Sequence, residues 1–246
     1  MSKFFQSYPY VNYNFGNNEN PVFFQNLTTY VDMVDAIKDD TSFYEKMHIE
    51  EYERPDTLSY KLYGTTDYYW TFFLLNDNIR LSGWPLSNKD LVAKAKLDYP
   101  HQVITTEDLI GDIFLPGELV TGIVTNTNGI VIKRYIDLGQ IIIDTNEAFG
   151  AETYGTGERI RTEKDGFTYV TALSTTAQYN SVHHYEDAAG NWVDINPHNQ
   201  IISAGTIPIT YLDRMFSFND ELKQIKILKP DVAAQVASNF KRSLLS

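Results

Sequence analysis

The 246-residue chain contains no cysteine. Disulfide frameworks, thiol nucleophiles and cysteine-ligated zinc are therefore excluded. Clustered cations are missing as well: the longest basic runs are the pairs Lys133-Arg134 and Lys241-Arg242, and 20 basic residues face 32 acidic ones for a net charge of −12. A surface that tracks phosphates needs a basic stripe, so nucleic acid is not an expected partner. The same acidic balance disfavours adhesion to anionic membranes. Long hydrophobic runs are absent too. The most apolar stretch, Tyr68 to Leu75, falls far short of the ~20 residues needed to cross a bilayer, so no membrane insertion is expected. The start, MSKFFQSYPYVNYNF, has neither a continuous apolar core nor a small-residue cleavage site, and assembly in a cytoplasm is the expectation.

Motifs that carry chemistry are equally scarce. There is no P-loop, GxSxG, GxGxxG or HExxH, and GTGER at 155–159 lacks the Lys-Ser/Thr that ends a phosphate loop. His183-His184, near Asp187, Asp194 and His198, is the one cluster of ligand-type residues. Neighbours on a regular strand point to opposite faces, so both are read as ordinary hairpin histidines rather than metal ligands. Paired acids (Glu50-Glu51, Asp39-Asp40, Glu158 with Glu163) read as solvated faces rather than a glycosidase pair. No catalytic residue, metal or cofactor is expected, and the chain reads as a non-enzyme.

What the chain does have is aromatic surface: 14% of residues, 17 of them Tyr. Tyr offers a large rigid face and a polar tip, which suits interfaces as well as cores. The run YYWTFFLL at 68–75 is interrupted only by Thr71. A helix hydrophobic nearly all round must be covered nearly all round, by other segments or by other proteins.

Turn and cap signals punctuate the chain into four parts. Residues 1–45 read as an aromatic N-terminal arm (Phe4, Phe5, Tyr8) followed by a helix over 23–40 on the spacing of Tyr30, Met33, Val34 and Ile37. Residues 46–101 read as strand, helix, helix, strand. MHIEEYE is the first strand, Asp56 or Thr57 caps a helix over 58–63, Gly64 ends it in the left-handed conformation, Thr65 or Thr66 caps the second helix, Asn76-Asp77 closes it, and Trp84-Pro85 starts an extended exit. Residues 102–210 carry short Val/Ile/Thr runs between turn signals, with Asp165-Gly166 as a hairpin turn and an echo between Gly117-Glu118-Leu119-Val120-Thr121 and Gly157-Glu158-Arg159-Ile160-Arg161. They read as an inserted antiparallel β domain, sandwich or small barrel. Residues 211–246 read as a short strand, QIKIL, and a helix opened by Pro230-Asp231 with an apolar stripe of Val232, Val236, Phe240 and Leu244. The fold class is α+β.

The block at 52–87 resembles a LysM module, and more specifically the LysM-like baseplate wedge protein of contractile-tailed bacteriophages. The carrying residues are Arg54-Pro55-Asp56, Leu58, Lys61-Leu62-Tyr63-Gly64, Tyr69-Trp70, the apolar run to Leu75, Asn76-Asp77 and Trp84-Pro85-Leu86-Ser87. Phe4-Phe5-Gln6-Ser7-Tyr8-Pro9 is similar to that family's N-terminal arm, and the segment from Asn219 to Leu228 with the following helix resembles its C-terminal segment. Together they span residues 1–100 and 211–246. The resemblance implies a structural subunit of the virion tail baseplate, joining other wedge subunits in a large six-fold hetero-oligomer. The alternative is a LysM-type protein that binds peptidoglycan or chitin. Candidate interface or module-core residues are Phe4, Phe5, Tyr8, Tyr63, Tyr68, Tyr69, Trp70, Phe72, Phe73, Trp84 and Phe240.

Overall fold

The computed structural model describes residues 8–13, 22–26, 37–146, 153–162, 164, 168–195, 202 and 204–244. The chain divides into two compact units, Met1–Ser87 with Phe218–Ser246, and Asn88–Ser217. Helix and sheet are mixed in the manner of an α+β protein.

The first unit begins with a two-stranded hairpin, β1 (Tyr10–Tyr13) and β2 (Val22–Gln25). The helical spacing read over 23–40 is therefore overruled at its start, because Val22, Phe23 and Phe24 are strand formers with a partner strand at hand. Residues 37–39 are helical, while Tyr30, Met33 and Val34 lie outside the described residues. Strand β3 (Tyr44–His48) follows, three residues earlier than the sequence suggested.

Helix α1 (Pro55–Tyr63) starts at the Arg54-Pro55 turn. Its N-cap is Arg54, not Asp56 or Thr57. Proline at the first helical position has no amide hydrogen to leave unpaired, and Thr57 reaches back so that its Oγ1 accepts the Arg54 N–H at 3.1 Å. Gly64 ends the helix at φ +68°, donating its N–H to the Tyr60 carbonyl at 2.9 Å, as its glycine signature predicts. Thr65 then caps a single 3-10 turn over 66–68, its Oγ1 accepting the Asp67 N–H. The apolar run continues as α2 (Trp70–Leu75), and α3 (Asp77–Ser82) follows directly after Asn76.

The contiguous strand–helix–helix–strand reading needs one correction. Residues 84–87 form no strand. Pro85 cannot donate to a ladder, whereas β14 (Gln224–Leu228) offers two inward isoleucines. It pairs antiparallel with β3, Lys226 opposite Lys46, and buries Ile225 and Ile227. The second strand is thus supplied from the far end of the chain. Ile225 and Ile227 join Ile49, Leu58, Phe72, Ile79 and Leu222 in one core.

Helix α6 (Pro230–Ser243) docks within this unit. Its deepest side chains are Ala233, Ala237 and Phe240, with Leu244 just beyond, while Val232 and Val236 are half-buried. The stripe is rotated by about one position from the one read in sequence, because small alanines let the helix approach closely and the valines flank the seam.

The second unit opens with α4 (Asn88–Asp98) and continues with β4 (Gln102–Thr105), β5 (Leu119–Gly122), β6 (Asn128–Tyr135), β7 (Gln140–Asp144), β8 (Arg159–Thr162), β9 (Tyr169–Thr171) and β10 (Ser174–Ala177). Their order in the sheet is β10-β4-β7-β6-β5-β8-β9. Strands β9 and β10 are consecutive pieces of one stretch, paired to β8 at its start and to β4 at its end, so the sheet closes on itself as a small barrel. Its interior is filled by Ile104, Ile110, Phe114, Val120, Val131, Ile141, Ile143, Ile160 and Val170 with Tyr154. The RIRT and FTYVTAL runs do pair antiparallel, as the hairpin signal predicted, although Asp165-Gly166 lie outside the described residues.

The Gly-Glu echo has a structural counterpart. Gly117 and Gly157 both have positive φ, and the strands that follow them, β5 and β8, pair antiparallel. The Gly117 N–H bonds to the Val131 carbonyl and the Val131 N–H to that of Glu118; Gly157, Ala172 and Glu158 repeat the same exchange. Each glutamate then reaches across. Glu118 accepts from Thr162 Oγ1 at 3.1 Å, and Glu158 accepts the Val124, Thr125 and Gly155 N–H groups at 2.6 Å each. These donors offset burial and hold the Glu158 carboxyl below the usual range. Glycine is required inside the barrel at Gly129, where a Cβ would collide with Ile143 Cγ2 and stand 2.9 Å from the Asp144 carbonyl. Gly129→Ala is expected to destabilise the second unit by about 2 kcal/mol, the scale of overpacking a filled core. Chemical denaturation followed by circular dichroism would read it.

A three-stranded sheet, β12 (Trp192–Val193), β11 (Val182–Glu186) and β13 (Ile207–Thr210), completes this unit with the start of α5 (Tyr211–Leu222), the helix that carries the chain back to the first unit.

Candidate assembly surface

The N-terminal hairpin is unusual in what it leaves exposed. Opposite pairs are Tyr10 with Gln25, Val11 with Phe24, Asn12 with Phe23 and Tyr13 with Val22. Alternation puts Tyr10 and Phe23 on one face and Val11, Tyr13, Val22 and Phe24 on the other. Tyr10 is 68% exposed and Phe23 66%, and the other four are exposed as well. An isolated two-stranded ribbon is marginal in water, yet this one is rooted. The Asn26 N–H bonds to the Pro9 carbonyl at 2.7 Å, closing its base. Tyr8 next to it is buried against Trp70, Ala237, Phe240 and Leu244, and that burial pushes its phenol up in pKa. The arm is a rooted stem with an aromatic ribbon.

The run at 68–75 is covered from within the chain. Phe72 is fully buried, and Trp70, Thr71 and Leu75 nearly so. Trp70 lies 5.1 Å from the Phe240 ring. Tyr63 is half-buried, stacks on Phe72, meets Tyr68 edge-on, and donates its hydroxyl to the Leu228 carbonyl at 2.9 Å. Its phenol is pushed well up by burial. Tyr68 and Tyr69 are half-buried along the same core. Trp84 is half-buried too, with Nε1–H donated to the Glu53 carbonyl at 2.7 Å and its ring against Phe72 and Phe73. Phe4 and Phe5 lie outside the described residues.

The residues that the sequence reading did not single out as a surface are Tyr13, Phe23 and Phe24. Their signal was present: YVNY and VFFQ are short strand-forming runs on either side of a loop-forming FGNNENP, which is a hairpin pattern.

His183 and His184 also depart from expectation. A register shift between Val182 and His184 bends β11 locally, so the two rings do not point to opposite faces; their Nδ1 atoms lie 2.9 Å apart. Among the described residues no group of three His, Asp or Glu side chains is placed to hold a metal ion. No helix among them is long and apolar enough to cross a membrane.

The described residues thus combine a well-packed core with a rooted ribbon of exposed aromatic side chains, surface of the kind that protein partners cover. Residues 3–114 match the family model described as base plate wedge protein 53, which supports the resemblance to a phage baseplate wedge protein and, with it, a structural baseplate role. The matched segment includes the arm, β3, the three helices α1 to α3, and α4 with β4 of the second unit. No curated protein matches the chain.

Proposed function

We propose that this chain is a wedge subunit that joins neighbouring baseplate proteins through the aromatic ribbon of residues 10–25, in a hetero-oligomer whose six-fold symmetry follows the resemblance. The carrying observation is the ribbon itself. Aromatic side chains stand exposed on both of its faces, which a single partner surface would cover only once. A stem held by Tyr8 gives the ribbon a fixed root from which to reach neighbours. The first unit supports a LysM-like reading in discontinuous form. Strand β3, the three helices α1 to α3 and the antiparallel strand β14 are present, with the second unit intervening in sequence between α3 and β14. In this reading the 102–210 region is an inserted domain, and the virion subunit is assembled in the host cytoplasm. Neither the match nor the geometry favours glycan binding.

The test is a pair of substitutions on the exposed face, Tyr10→Asp and Phe23→Asp together. Because both side chains are exposed, chain stability is expected to change by no more than about 0.5 kcal/mol, while incorporation into wedge complexes, measured by co-purification with the other wedge proteins, is expected to be lost. Normal incorporation of the double variant would remove the ribbon from the interface.

A further inference from the structure

The bend in β11 creates a hydrogen-bonded line of side chains that the structural role does not use. Arg214 Nη1, on α5, lies 2.9 Å from His183 Nε2. His183 Nδ1 lies 2.9 Å from His184 Nδ1, and His184 Nε2 lies 2.8 Å from Glu186 Oε1. A guanidinium can only donate, so it fixes every proton along the line. His183 Nε2 must accept, which places the His183 proton on Nδ1. That proton is donated to His184 Nδ1, which therefore accepts, and the His184 proton sits on Nε2 facing the Glu186 carboxylate. Both rings carry one proton each and the line is complete. A further proton has nowhere to go without breaking it. On His183 Nε2 it would face the guanidinium, and on His184 Nδ1 it would face the His183 N–H.

The surroundings oppose a charge on His183 as well. The Arg214 guanidinium touches it, and Lys133 on β6 stands near. Tyr211 and Trp192 hold its ring edge-on at 4.8 and 5.5 Å. Trp192 also stacks on His184 at 4.0 Å. Tyr135 bonds to Lys133 and to Tyr211, and Asp137 and Asp194 line the same cleft. Glu186 is the one carboxylate that the line itself engages, and it lies at the His184 end. Burial, and then the neighbouring Arg214, His184 and Lys133, hold the His183 imidazole below the usual histidine range.

We propose that this line is an acid-sensitive latch: with both histidines singly protonated it ties β11 to α5, and uptake of one proton breaks the tie and loosens the β11–β12–β13 sheet. The sign follows from linkage. A base whose folded pKa is depressed contributes stability that is complete above its unfolded pKa of ~6.5 and is lost as pH falls towards the folded value. The latch is closed at neutral pH and opens on acidification.

The experiment uses the full chain with 15N-labelled histidine. At neutral pH the ring nitrogens are expected to show His183 protonated at Nδ1 and His184 at Nε2, and the inverse tautomers would overturn the latch. Amide protection in Val182–Glu186 and Ile207–Thr210, corrected for intrinsic exchange, is expected to fall between about pH 7.5 and about pH 5.5, by up to about tenfold, the limit set by the one-unit span below the unfolded histidine value. Unchanged protection would overturn it. Arg214→Met removes the donor and the nearest charge, so the His183 midpoint should rise; an unmoved midpoint speaks against the proposal. His183→Gln supplies an acceptor for Arg214 and a donor for His184 without a titrating ring. That variant should keep its protection on acidification. If it loses as much as the unaltered chain, another group is responsible.

Discussion

Trp70→Ala is expected to destabilise the first unit by about 4 kcal/mol, the scale of deleting a large buried aromatic side chain. Trp70 is only 5% exposed and packs with Tyr8, Ala237, Phe240 and Leu244. It therefore joins three parts of the chain that are distant in sequence: the root of the arm, the apolar run and the terminal helix. Its removal leaves a cavity that none of them can close alone, since α6 is held at its start by the Pro230 turn and α2 by its packing under β14. Chemical denaturation gives the stability change. Limited proteolysis gives its location, with cleavage near residues 8–26 and in α6 expected to increase together. A loss below about 1 kcal/mol would mean that the arm and α6 are not anchored through this ring.

Asn76 gives the second large effect, for a different reason. Its side chain is buried and completes the outer edge of β14. Its Oδ1 accepts the Lys226 N–H at 2.7 Å, and its Nδ2 donates to the Lys226 and Phe72 carbonyls, each at 2.8 Å. One amide thus substitutes for a neighbouring strand at the edge of a two-stranded sheet, while linking that edge to the end of α2. Asn76→Leu keeps the bulk but leaves a buried N–H and carbonyls unpaired, at about 1–3 kcal/mol for each unsatisfied group. A total loss of about 3 kcal/mol is expected by urea unfolding. Asn76→Asp, identical in shape, isolates the donor. It sets a carboxylate oxygen against two carbonyls, so it is expected to be at least as damaging near neutral pH and to recover in part as the carboxyl protonates. A neutral Asp variant as stable as the parent would show that the edge is satisfied in some other way.

Several features were legible from local chemistry alone. Gly64 ends α1 because no other residue adopts positive φ there at so little cost. Pro230 starts α6, and the QIKIL alternation is a strand. The Gly-Glu echo marks two like strands that pair with each other. Other features were not legible. The helical spacing of 23–40 competed with a strand at Val22–Gln25, and what decided in favour of the strand was pairing with residues 10–13, a term no local pattern contains. Asn76 reads locally as a helix terminator, and so it is, yet its larger role depends on a strand that lies 150 residues away in sequence. The histidine pair was assigned to opposite faces by the rule for regular strands, and a one-residue shift in pairing with β13 set that rule aside.

The sequence by itself determined the α+β class, the ends of α1 at Gly64 and of α2 at Asn76, the start of α6 at Pro230, and the likeness to a baseplate wedge protein that the family match over residues 3–114 bears out. These rest on caps, turns and short motifs, whose energies act within a few residues. Only the tertiary structure decided which strand completes the β3 sheet, how the apolar run at 68–75 is covered, and where aromatic surface remains exposed. Burial is a property of what packs against a residue. YYWTFFLL and the hairpin strands YVNY and VFFQ look alike as sequence, but the first is enclosed by β14 and α6 and the second pair is not.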